Sequence, residues 1–421
     1  MPFKFIRRHI NNSMEKERLL KYAQLIVKTG LNVKEGQDVL INCGLDQPEF
    51  VTMVAEECYK RGARKVIVKW SHMPLAKINY IYRSEETLSE VTPVEKAELQ
   101  TRVDTLPCTL FIDSEDPDGL NGTDNEKISK ANIARYPTIK PYRDAMENKY
   151  QWCIAAVPGK EWAHKVFPDL PVEEAVEKLW EAILYTSRVT EDPIAEWDKH
   201  NEALARRCEF LNKYRFDSLE YKSSNGTDFT VGLNPKGIFC GGGETTLGTD
   251  NYFNPNIPSE EVFTSPVKGR AEGKVVATKP LSYQGKLIEN FWVEFKDGKA
   301  VKVGAEKNQD LLEKMISMDE GAAYLGEVAL IAHDSPINNT GILFYNTLFD
   351  ENASCHLALG RGFNNCLENY ENYTNEQCKE LGINNSMIHV DFMIGSKDMS
   401  IVGVTKSGER VQIFKDGNWA F

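Results

Sequence analysis

Asn225-Gly226, Gln284-Gly285, Asp297-Gly298 and Asp416-Gly417 each sit beside alternating or apolar runs such as TDFTVGL and NFWVEF. Dipeptides of this kind suit two-residue hairpin turns, so the second half of the chain is expected to build antiparallel strands. One helical run, DLLEKMISM (310–318), interrupts them. The first half has a different rhythm. Helical spacing at 14–29 leads into an apolar run, DVLINC (38–43), then a helical run, PEFVTMVAEECYKRGA (48–63), closed by Gly62. RKVIVKW (64–70), CTLFID (108–113) and WCIAAVP (152–158) read as further strands. Strand, helix, strand in this order implies parallel pairing in an α/β layer.

Two helices follow, VEEAVEKLWEAILY (172–185) and IAEWDKHNEALARRCEFLN (194–212), each with one apolar face. They point to a boundary near residue 215. The expected organisation is an α/β N-terminal domain (1–215) and a β-rich α+β C-terminal domain (216–421). At 421 residues the chain is too long for one compact core.

The formal charge of -12 argues against nucleic acid and anionic membrane as partners, because there is no excess of Lys and Arg to neutralise phosphates. No run reaches the ~18 apolar residues of a membrane span. The basic MPFKFIRRHINNSM has no apolar core of signal-peptide length, so secretion is not expected. Nine cysteines without a CxxC pair suit free thiols in a reducing compartment, and a cytoplasmic location is expected. Neither G-x-G-x-x-G nor G-x-x-x-x-G-K-[ST] occurs in the α/β half, so no nucleotide fingerprint is seen there.

The chemistry concentrates in the second half. In MIHVDFMIG (387–395), Ile388, Val390, Phe392 and Ile394 form one apolar strand face, and His389 and Asp391 share the other. On that strand alone, an exposed or mutually hydrogen-bonded His–Asp pair is the plainer reading. Glu327 heads the apolar run in LGEVALIAHDSPI (325–337), where a surface carboxylate is equally natural. Glu260 and Glu261 lie in PNIPSEEVFTSP (255–266), which by itself reads as a solvated loop. DENASCHLALG (350–360) adds Glu351 and His356 among small residues, either as a capped helix start or as a metal-binding turn. Together these carboxylates and imidazoles suit a two-metal hydrolytic site, with ions roughly 3.5–4 Å apart. A structural zinc site would favour closely spaced thiolates, which are absent here.

At these residues the chain resembles the aminopeptidase T / aminopeptidase S family of metallopeptidases. PNIPSEEVFTSP, GKLIENFWVEF, LGEVALIAHDSPI, NTLFDENASCHLALG and HVDFMIGS carry the likeness, which also takes in KEGQDVLINC and YQWCIAAVPGKEWA. The resemblance implies a two-domain cytoplasmic exopeptidase, usually a homodimer. It also implies two divalent ions in the C-terminal domain, zinc or cobalt, with manganese or magnesium as alternatives. Carried over by motif, the metal ligands fall on Glu261, Glu327, His356, His389 and Asp391, with Glu351 as a further ligand or close neighbour. Glu261 is preferred to Glu260 because its spacing to Glu327 matches the family.

The expected function is removal of N-terminal residues from peptides with a free amino terminus, with Glu327 or Glu260 moving the proton to the leaving amine. Two other classes compete: a catalytically silent metal- or peptide-binding homologue, and another dinuclear hydrolase such as a phosphoesterase. One position departs from the family. Where its members commonly carry Tyr, seven residues after the loop histidine, HLALGRGF has Phe363. The oxyanion donor that a phenol would provide is then missing, unless Tyr370 or Tyr373 supplies it.

Overall fold

The computed structural model describes residues 15–284 and 286–421. The basic stretch 1–14, including the first residue of the first expected helix, and Gly285 of one expected turn lie outside the described residues. Two compact units emerge, one of residues up to Asp198 together with Gly243–Pro258, the other of Lys199–Gly242 and Ser259–Phe421. The division falls inside the helix Pro193–Tyr214, earlier than the boundary at 215 that the sequence suggests. A helical pattern announces where a helix stops. It carries no mark where the helix changes packing partners.

The first unit holds a four-stranded sheet in the order Lys65–Ser71, Asp38–Gly44, Cys108–Asp113, Trp152–Ala156, parallel throughout. Val39, Leu40 and Ile41 are all buried, as an inner strand covered on both faces requires. Tyr22 stacks on Phe50 at 5.3 Å, Trp180 meets Phe50 at 5.5 Å, and Tyr22 Oη donates to the Ala156 carbonyl at 3.1 Å. Helices Met73–Tyr82, Glu85–Ser89, Pro93–Thr105 and Asn125–Met146 lie in stretches where the sequence shows no helical stripe. The reason is burial: Met73–Tyr82 and Pro93–Thr105 bury no residue, and Asn125–Met146 contains Pro137 and Pro141. Capping sustains some of them instead, notably the reciprocal Thr92–Glu95 box.

The second unit is built on two antiparallel sheets. The larger has eight strands in the order Lys299–Gly304, Trp292–Lys296, Pro266–Val276, Asp228–Leu233, Phe216–Lys222, Ser400–Thr405, Arg410–Lys415, Asn418–Trp419. Three of its hairpins close at expected dipeptides, Asn225-Gly226, Asp297-Gly298 and Asp416-Gly417, whereas Ser400–Thr405 and Arg410–Lys415 are joined through residues 406–409, which were not singled out. Asp297 and Gly298 have φ of 50° and 79°, and Asp416 and Gly417 have 50° and 72°, the double positive φ of a tight two-residue turn. The smaller sheet runs His389–Met393, His356–Gly360, Leu325–Leu330, Val262–Thr264, Cys240–Gly241. Both contribute to one buried cluster that includes Tyr221, Phe229 and Phe295 from the larger and Val328, Leu357 and Phe392 from the smaller. Among the described residues no helix is long and apolar enough to cross a membrane. All nine cysteines are free thiols.

Candidate metal centre

The five-stranded sheet sends its odd and even residues to opposite faces. Val390 and Phe392, with Leu357, Leu359 and Val328, pack toward the apolar cluster. The opposite face carries His389 and Asp391 from one strand, His356 from the next and Glu327 from the third. Across the ladder, Asp391 is paired with Ala358, Ala358 with Glu327, His356 with Ala329, and His389 with Gly360. Each ligand-type side chain therefore has a residue no larger than alanine directly opposite on one neighbouring strand, although His356 faces Met393 on the other. Glu261 enters from the residue preceding the Val262–Thr264 strand.

Two sets of ligand-type atoms result, Glu261 with Glu327 and His356, and Glu327 with His389 and Asp391, the atoms of each set lying within 4.8 Å of one another. Glu327 belongs to both. His389 Nε2 stands 3.1 Å from Glu327 Oε2 and 3.2 Å from Asp391 Oδ1. His356 Nε2 is 3.6 Å from Glu261 Oε2 and 3.9 Å from Asp391 Oδ1.

The tautomers follow from the backbone. His356 Nδ1 lies 2.8 Å from the Glu351 carbonyl and His389 Nδ1 lies 2.7 Å from the Arg361 carbonyl. A carbonyl oxygen only accepts, so both Nδ1 atoms are protonated and each Nε2 of a neutral ring turns its lone pair toward carboxylates. Lone pair facing carboxylate calls for a cation between them. Where none is bound, a proton takes that place: burial disfavours it on His389, but the Asp391 and Glu327 charges prevail and hold the imidazole well above its ordinary range. Asp391 Oδ1 is buried between the two imidazoles, 3.2 Å from His389 Nε2 and 3.9 Å from His356 Nε2, a place suited to a cation. Burial would raise the Asp391 carboxyl, yet the adjacent His389 charge holds it below the usual range.

Glu351 lies beside this group rather than in either set. Burial first, then the charges of Asp391, Glu261 and Glu327, push its carboxyl far up. Glu260 and Glu261 part company. The Glu260 N–H donates to Asn352 Oδ1 at 2.8 Å and its carboxylate lies 3.8 Å from His200 Nε2. Neither ligand set includes it. Several contributors carry no chemical label in the sequence: the carbonyls of Glu351 and Arg361, the buried Asn352, and the small residues Ala329, Ala358 and Gly360. Only the alternating small residues of HLALG hint at them.

Phe363 stands where the family tyrosine is expected, its ring 4.8 Å from that of His389 and 5.7 Å from that of Phe263. Tyr370 and Tyr373 pack instead on a satellite cluster of Leu367, Cys378 and Ile383, and Tyr373 Oη accepts a hydrogen bond from Lys236 Nζ at 3.0 Å.

Comparison with known proteins gives the family. The sequence pattern of the thermophilic metalloprotease (M29) family matches residues 15–419. The chain belongs to that family. It is accordingly an enzyme of the metal-dependent peptide hydrolase class, as the motifs lead one to expect. Aminopeptidase 2 of Geobacillus stearothermophilus is 42% identical over 412 residues, covering 97% of this chain and 99% of that protein. Aminopeptidase T of Thermus thermophilus is 38% identical over 406 residues, 96% of this chain and 98% of that one. The solved structure of wild-type AmpT from Thermus thermophilus superposes with a TM-score of 0.88 at 38% identity, covering 96% of this M29 chain and 100% of that one.

Proposed function

We propose that this M29 metalloprotease is an aminopeptidase that removes N-terminal residues from peptides with the help of two divalent cations. The observation that carries the reading is the pair of three-residue ligand sets sharing Glu327. Imidazole and carboxylate donors without a thiolate suit zinc or cobalt, with manganese or magnesium as oxygen-rich alternatives. Such ions supply Lewis acidity toward the scissile carbonyl and lower the pKa of a water.

The protein's own part is positional. Glu261, Glu327 and Asp391 are the anionic donors that would offset the charge of the bound cations, which leaves the centre to take the amino end of a peptide. The Glu351 and Arg361 carbonyls orient the two imidazoles. Glu327, which lies in both sets, is the carboxylate assigned to pass a proton to the leaving amine. Glu260, turned toward His200, supports the position of its neighbour.

A homodimer in the cytoplasm is part of the same reading. The outer strand Lys65–Ser71 and the helix Met73–Tyr82 expose Trp70, Leu75, Ile78, Ile81 and Tyr82, an apolar surface that a second copy would cover. One observation favours a silent binding protein instead: Phe363 lacks the phenol. The deciding experiment strips the protein of metal, restores zinc, cobalt, manganese or magnesium, and offers aminoacyl-p-nitroanilides with free or acetylated amines. Hydrolysis of the free-amine substrates alone, with two ions bound per chain, is expected. No hydrolysis by the fully metallated protein would leave only the binding reading.

A further inference from the structure

Lys279 makes no hydrogen bond or ion pair among the described residues, although it is half-buried. Burial pushes its ammonium below the ordinary range, opposed only by the charge of Asp350. Asp350 does not pair with it directly. Its carboxylate is taken up by the backbone N–H groups of Phe344 at 2.9 Å and Asn346 at 3.2 Å. Nearby stand His333, itself influenced by Lys279 and Lys397, and Asp334, whose carboxylate accepts from Asn339 Nδ2 at 2.7 Å. A cation removed from water without a direct counter-ion is unfavourable unless a ligand completes it.

Its location relates it to the metal centre. The N–H of the preceding residue, Thr278, donates to the Met393 carbonyl at 2.8 Å. Met393 is paired across the sheet with His356 and lies two residues beyond Asp391. Two interstrand steps, about 10 Å, therefore link the Thr278 backbone to the His356 strand. Asp350, the other neighbour of Lys279, directly precedes Glu351. An extended di- or tripeptide measures roughly 7–10 Å from amine to carboxylate. The two ends also suit a peptide's termini, with the metal-binding donors at one and an ammonium without a direct counter-ion at the other.

We propose that Lys279 binds the C-terminal carboxylate of the substrate, so that the enzyme favours di- and tripeptides over longer chains and over peptide amides. The proposal rests on the aminopeptidase reading, and its test separates the two. Hydrolysis of leucyl-glycine and of leucyl-glycinamide is compared in the metallated wild type, Lys279→Met and Lys279→Arg, together with calorimetric binding of both compounds. Loss of a charge-assisted hydrogen bond should lower the dipeptide-to-amide ratio of kcat/KM by about tenfold or more in Lys279→Met, mainly through KM, with partial recovery in Lys279→Arg. A merely structural lysine would leave that ratio unmoved, and an unmoved ratio overturns the proposal. If the wild type hydrolyses neither compound, the aminopeptidase reading fails, and the binding ratio still decides: a dipeptide preference that Lys279→Met abolishes upholds the carboxylate site, and equal binding of both compounds refutes it.

Discussion

His389 Nε2 and Glu327 Oε2 lie 3.1 Å apart although 62 positions and a whole strand separate them. They meet over the His356–Gly360 strand because Gly360 stands opposite His389 and Ala358 stands between Asp391 and Glu327. Ala358→Leu is therefore expected to block the approach. Overpacking of this buried position should destabilise by about 1–3 kcal/mol, and bound metal should fall more than stability does. Metal content of the folded variant checks this; full occupancy would show that the face tolerates bulk.

His389→Ala and Asp391→Ala should each reduce bound metal and abolish peptide hydrolysis while leaving the fold intact. Phe392, between Asp391 and the end of the same strand, points into the apolar cluster instead. Phe392→Ala should destabilise by about 3–5 kcal/mol yet retain metal wherever it remains folded. Denaturant midpoints set beside metal analysis separate the two faces of one strand.

The metal-free protein should lose stability as pH rises. His389 has a raised folded pKa, so its contribution is complete below an unfolded value of about 6.5 and disappears as pH climbs through the folded value. Glu351, also raised, is a carboxyl whose ionisation the unfolded chain permits earlier, so it weakens the fold in the same direction from about pH 4.3 upward. A chelated sample should melt lower at pH 8.5 than at pH 6, and added zinc should raise Tm most at pH 8.5 while releasing protons. A flat Tm across this range would contradict the assignment.

Phe363→Tyr should increase kcat with little change in KM. Its ring already lies against His389, and the Tyr373 phenol is engaged with Lys236. An added oxyanion donor is worth up to about 10²–10³ in turnover. Steady-state kinetics on one p-nitroanilide suffices, and an unchanged kcat would mean that oxyanion stabilisation is already complete without a phenol.

Cys355, next to His356, should play no part as a nucleophile. It is buried, its Sγ donates to the Ile331 carbonyl at 3.3 Å, and burial pushes its thiol up to about 12. Thiol reagents should leave it unmodified in the native protein, and Cys355→Ala should keep near-normal turnover. Mass spectrometry after alkylation, paired with activity, reads both outcomes.

What the sequence determined by itself is local. Turn dipeptides that accept positive φ marked the hairpins of the second unit, and continuous apolar runs marked the parallel strands of the first. The two-residue period of HVDFM put His389 and Asp391 on one face, because side-chain alternation depends on the strand alone. The helices between residues 73 and 146 left little trace, since they bury so little that no stripe is needed. Assembly of the site was decided by register. Whether Glu327 of one strand meets His389 two strands away depends on how the opposite faces of those strands pack in the core, and no local pattern encodes that. The same holds for the divergence of Glu260 toward His200 while Glu261 joins the cluster. It holds for Lys279 too, a residue unremarkable in ATKP until the fold buries it without a direct counter-ion.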